Sequence, residues 1–153
     1  MLDEKWMRMA LAEAEEAARM GEVPVGAVLV KDGEILAKTH NLCENLHDAT
    51  AHAELLAISE ACRKNGHWRL SGCTLYVTLE PCPMCMGAAI NARIPRIVYA
   101  AKDARAGACG SLIDLSSYPL EARPHCESGL LCAESQSLLK DFFARMREKI
   151  KNK

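Results

Sequence analysis

Residues 72–101 read GCTLYVTLEPCPMCMGAAINARIPRIVYAA, and this stretch decides the architecture. Gly72 to Leu79 alternates toward a strand, a short helix is expected from about Pro83 to Arg93, and Arg96 to Ala101 forms the next strand. Pro95 stops the helix between them. Two strands joined through a helix argue for a parallel pair with a right-handed crossover. Within the crossover, Cys82 and Cys85 stand at i and i+3, so on a first helical turn both thiols point the same way. Pro83 suits the opening of that helix, where its missing N–H costs nothing.

Outward from this unit the pattern continues as mixed α/β. Asp3 is a plausible N-cap for a helix running to about Met20, with Gly21 as its stop. Its apolar residues Met7, Ala10, Leu11, Ala14 and Ala18 recur at helical spacing. Val25 to Lys31 is a β-branched run, Lys31-Asp32-Gly33 reads as a hairpin turn, and Glu34 to Thr39 returns. His40 to Thr50 reads as a polar loop. A second helix is expected from near Ala51 to Asn65-Gly66, burying Leu55, Ile58 and Cys62. After Ala101 comes a loop rich in Gly, Ala and Ser to about Ser117, then a short strand at His125–Ser128 and a terminal helix from about Cys132 to Lys149. The sum is one α/β domain over 1–153, a mixed sheet of about five strands with helices on both faces.

Composition agrees. The 153 residues are 50% hydrophobic and 25% charged, as in a soluble globular protein. No apolar run approaches the ~18 residues of a membrane span, and the acidic N-terminus lacks a signal-peptide pattern. This pattern favours a reducing, cytoplasmic setting, in which eight cysteines are expected to be thiols or metal ligands rather than disulfides. Cys43, Cys62, Cys73, Cys109, Cys126 and Cys132 lack ligand spacing and read as small apolar residues. Net charge is −1, but residues 1–22 carry −3 and residues 140–153 carry +4. A basic terminal helix either attracts phosphates or is a solvated face; charge alone leaves both open.

The chemistry lies in Thr50-Ala51-His52-Ala53-Glu54 and Pro81-Cys82-Pro83-Met84-Cys85. His52, Cys82 and Cys85 are three good zinc ligands, and Glu54 is a carboxylate left over. A structural zinc site closes with four protein ligands, whereas a catalytic one keeps a position for water. Thiolates at a helix start are favoured by the helix macrodipole. Because two thiolates cancel much of the metal's charge, water here is less acidified than at a site built from histidines, and a proton acceptor is needed. Glu54 is placed to accept that proton and to return it to a ring nitrogen and to departing ammonia. A redox reading of C-x-x-C leaves His52 and Glu54 unexplained.

H-x-E followed by P-C-x-x-C is the known signature of zinc-dependent base deaminases, and the chain resembles the cytidine-deaminase-like superfamily, in particular its bacterial tRNA adenosine deaminases. The matching stretches are Glu22 to Val28, His47 to Glu54, Leu75 to Cys82, Asp103 to Leu112, and Phe142-Phe143 with the basic tail. The resemblance implies a three-layer α/β/α fold and deamination of adenosine to inosine at the wobble position of a tRNA anticodon, by a homodimer with one Zn2+ per subunit. It puts the metal on His52, Cys82 and Cys85, the proton shuttle on Glu54, a base-binding amide on Asn41 and an apolar wall on Val23. The backbone around Ala53 and Leu79 would complete the pocket. Asp103, with Lys102, Arg105 and Ser111, falls in the loop that lies along the anticodon ribose-phosphate chain; Phe142, Phe143, Arg145 and Arg147 fall on the RNA-binding terminal helix. Ala49 stands where the family often has proline, and Ala144 interrupts the arginine cluster.

An anticodon loop is a sensible substrate, because its bases are already partly unstacked and extrusion costs little. Two other readings share some of these features. A deaminase of free guanine or cytosine would use the same zinc site, but often closes its pocket with a C-terminal aromatic segment where this tail is basic. A zinc-stabilised RNA-binding module without catalysis leaves Glu54 without a purpose.

Overall fold

A computed structural model describes residues 2–152. Helix α1 (Leu2–Arg19) leads through Gly21, whose φ of 80° ends it, into the hairpin of β1 (Gly26–Lys31) and β2 (Glu34–His40). Asp32 (φ 51°) and Gly33 (φ 75°) form the two-residue turn, with the positive φ values that match strand twist in a hairpin. Then follow α2 (Cys43–Leu46), α3 (Ala53–Asn65), β3 (Cys73–Leu79), α4 (Pro83–Asn91), β4 (Arg96–Ala101), a 3-10 turn at Leu115–Ser117, β5 (His125–Ser128) and α5 (Cys132–Lys151).

The sheet order is β2-β1-β3-β4-β5. β1 is antiparallel to both β2 and β3, whereas β3, β4 and β5 run parallel. The side chains alternate faces with period two. Ala27, Leu29, Leu75, Val77, Ile97 and Tyr99 pack under α3 and α4, while Val28, Val30, Tyr76, Val98 and Ala100 pack under α1. Three layers result, as expected. Gly26 is where α1 comes closest to the sheet: a Cβ there would collide with the Ala10 carbonyl and lie 2.7 Å from the Ala14 nitrogen.

Four local expectations are corrected. Asp3 lies inside the first turn of α1 rather than capping it, because its carboxylate reaches across to Arg96 at 2.7 and 3.0 Å and accepts from the Tyr76 hydroxyl at 2.5 Å. The buried stripe of α1 passes through Ala17, with Ala18 only half-buried at its edge. The segment 40–50 contains the helical turn α2, held by a long-range contact described below. On α3 the buried positions are Ala53, Glu54, Ala57, Ile58 and Ala61, while Leu55 and Cys62 are half-buried. No helix among the described residues is long and apolar enough to cross a membrane.

Candidate metal centre and its cavity

In an open sheet the C-terminal ends of parallel strands form a natural crevice. Here the end of β3 meets the starts of α3 and α4. His52 and Cys82 are the N-cap residues of these helices, yet neither makes a side-chain capping hydrogen bond. Both are therefore free to point at a common centre. Cys85, one turn into α4, is fully buried beside them.

His52 Nδ1, Cys82 Sγ and Cys85 Sγ all lie within 4.8 Å of one another. The imidazole nitrogen is 3.6 Å from Cys82 Sγ and 3.5 Å from Cys85 Sγ. Bond lengths of about 2.0 Å to nitrogen and 2.3 Å to sulfur at a tetrahedral angle would put N and S ~3.6 Å apart. The group could hold a metal ion, and the donor spacing fits zinc. The Cys85 thiol donates to Cys82, which pushes Cys82 down to about 4 and Cys85 well up. The hydrogen bond to Cys82 also raises His52.

Glu54, 4% exposed, stands on the first turn of α3, two residues after His52, and lines the same cavity as His52 and Cys82. Burial pushes its carboxyl up to about 7, where a proton acceptor and donor works best near neutrality. That cavity, of about 290 Å³, is lined by Glu22, Val23, Asn41, Glu54, Leu79 and Asp103, among others. Asn41 is held by its Oδ1, which accepts from the Ala53 N–H at 3.1 Å. That bond leaves its Nδ2 donors for the cavity.

A shallower groove continues outward, sharing Val23, Leu79, Asp103 and Ala106 and adding Lys102, Arg105 and Phe143. Val23, Asn41, Leu79, Asp103, Lys102, Arg105 and Phe143 are thus gathered around one continuous depression. Other expected residues lie differently. Ala53 has its N–H on Asn41 and its carbonyl on the Thr39 hydroxyl, so its backbone orients Asn41. Ser111 bonds Glu80 through both its N–H and its hydroxyl. Phe142 is buried and backs Phe143 edge-on. Arg145 lies over a groove between α5 and α1, and Arg147 is exposed further along α5.

Two residues with no role in the sequence reading shape the cavity. Glu22, 1% exposed, accepts from the N–H groups of Glu44 and Asn45 at 3.0 and 2.8 Å and from Asn45 Nδ2 at 2.7 Å. This contact holds α2 against the rim. Glu80, 2% exposed, binds the 103–111 loop on the opposite side. No local pattern marks either acid, because the partners of both lie more than twenty residues away along the chain.

Comparison with known proteins agrees with this geometry. A family model described as MafB19-like deaminase matches residues 1–147. The chain belongs to this deaminase family. It is 47% identical over 150 residues to the tRNA-specific adenosine deaminase of Bacillus subtilis (strain 168), covering 97% of this chain and 93% of that protein. A solved structure from work on A-to-I editing by tRNA:A34 deaminases at the wobble position has a TM-score of 0.86 at 46% identity, covering 88% of this chain and 99% of that one. A guanine deaminase from Bacillus subtilis is more distant: TM-score 0.64 at 39% identity, covering 80% of this chain and 82% of that one. The three-layer sheet is the cytidine-deaminase-like fold of these deaminases.

Proposed function

We propose that this chain deaminates adenosine to inosine at the wobble position of a tRNA anticodon, taking up one water and releasing one ammonia. The observation that carries the reading is a cavity lined by a three-donor metal group and by a buried carboxyl that is not one of the three donors. An exposed cationic and aromatic groove leads away from its mouth. A free base would need only the cavity; the groove suits the nucleotides around a flipped one.

His52, Cys82 and Cys85 would hold one Zn2+ per subunit, which supplies Lewis-acid activation of water when bound. Glu54 takes the proton of the attacking water and gives it to the adenine ring nitrogen next to C6. It then carries the second proton to the departing amino group, so that the carboxyl ends as it began. Asn41 Nδ2 donates to the base and fixes its rotation. Val23 and Leu79 contribute apolar walls that exclude bulk water. Outside, Lys102 and Arg105 meet phosphates, Phe143 offers a face for stacking, and Arg145 and Arg147 add charge along α5. The reading includes a single domain, a homodimer and a cytoplasmic setting, in keeping with a tRNA substrate and eight unpaired cysteines.

The test offers the purified protein an anticodon stem-loop with adenosine at the wobble position, and in parallel free adenine, guanine, cytosine and cytidine. Inosine in the stem-loop is expected. Turnover of a free base with none of the RNA would replace this reading with that of a nucleobase deaminase.

A further inference from the structure

We propose that Glu80 is a positioning residue: a buried carboxylate that clamps the 103–111 loop into place as one wall of the catalytic cavity. This rests on the function proposed above. Glu80 stands at the end of β3, two residues before Cys82, and its own N–H donates to the Ala101 carbonyl at 2.8 Å. The backbone beneath the carboxylate is therefore fixed by the sheet. Its Oε1 accepts from the Asp103 N–H at 3.0 Å and from the Ser111 hydroxyl. Its Oε2 accepts from the N–H groups of Cys109 and Ser111 at 2.9 and 3.1 Å. One side chain thus gathers both ends of an irregular loop, and no lysine or arginine takes part.

Two further contacts show that the loop is built around this carboxylate. The Ala108 N–H donates to the Pro81 carbonyl at 2.8 Å, tying the loop to the residue just before Cys82. Gly107 lies directly on the Glu80 carboxyl group; a Cβ there would overlap it and stand 2.5 Å from the Asp103 carbonyl. Any side chain at 107 would lift the loop away. Glu80 and Asp103 both line the cavity, so the position of this wall relative to the metal group is set through Glu80.

The chemistry requires a carboxylate. Both oxygens face N–H donors, so a glutamine at 80 must turn its NH2 toward one of them, whichever way its amide is flipped. Aspartate would withdraw the group by one methylene and drop the far contacts.

Glu80→Gln and Gly107→Ala, each loaded with zinc, are compared with the native enzyme in steady-state deamination of the stem-loop and in amide hydrogen exchange. The expected result is an intact metal content and a kcat/KM reduced roughly a hundredfold, as for a wall displaced by about 1 Å. The amides of Asp103, Cys109 and Ser111 lose protection while those of β3 and β4 keep theirs. A merely structural Glu80 would instead lower protection throughout and the melting temperature, with kcat and KM unchanged per folded, metal-loaded molecule; that result overturns the proposal. So does native protection of the three amides in Glu80→Gln. If the native enzyme leaves the stem-loop untouched, the function proposed above fails, while the exchange data still judge the clamp.

Discussion

Replacing Asp3 by asparagine removes a charge that ties α1 to the sheet, and the cost should vanish with acid in a defined window. The Asp3 carboxylate accepts from Arg96 at 2.7 and 3.0 Å and from the Tyr76 hydroxyl at 2.5 Å, and these bonds hold its carboxyl down at about 2. An unfolded aspartate titrates near 3.9, so unscreened linkage would amount to about 2.5 kcal/mol. The side chains of Arg96 and Asp3 are 31% and 37% exposed, and solvent screening reduces this to about 1 kcal/mol. Because the folded pKa is the lower one, the stabilisation is present above pH ~4 and lost as pH falls toward about 2, with roughly half gone at pH 3. Thermal unfolding of native protein and Asp3→Asn should differ by roughly 3 °C at pH 7. The gap should narrow to about half at pH 3 and shrink in molar salt. An equal gap at both pH values, or none at pH 7, would refute the assignment of the pair.

Other predictions concern packing, base recognition and RNA. Gly26→Ala drives a methyl group into the backbone of α1 and should cost about 3 kcal/mol, a fall of roughly 10 °C in the melting temperature; a native-like melt would mean that α1 sits higher above the sheet. Asn41→Asp keeps the acceptor for the Ala53 N–H but removes the donor to the base, so kcat/KM should fall on the order of a hundredfold with zinc retained. An unchanged kcat/KM would take Asn41 out of recognition. Removing Arg145 and Arg147 together should weaken stem-loop binding and reduce the slope of log K against log salt by about one to two. An unchanged slope would make the end of α5 an ordinary solvated face.

The elements legible in the sequence were those whose reasons are local. The β3-α4-β4 unit announces itself through a change of period, Pro83 at the helix opening and Pro95 at its exit, and β4 and β5 fall at the expected residues. The turn at Asp32-Gly33 follows from which residues tolerate positive φ. What stayed hidden depends on partners far along the chain. Four residues of α2 have too little propensity to be seen, and they are helical because Glu22 holds them from more than twenty residues away. Asp3 looks like a cap until Arg96, 93 residues on, is placed beside it. At the site, the known H-x-E and P-C-x-x-C signature singled out His52, Glu54, Cys82 and Cys85, since metal ligation and proton transfer by neighbouring residues leave a sequence pattern. The wall residues Val23, Asn41, Leu79 and Asp103 came through family resemblance, and neither Glu22 nor Glu80 carried a local mark of its hydrogen bonds.

The proposed deamination requires Glu54 to be a proton carrier that is not a ligand. In Glu54→Gln, zinc content by elemental analysis should remain at one ion per chain, while inosine formation in the stem-loop falls by about a thousandfold or more. Turnover at the native rate, or loss of the metal along with activity, would contradict it.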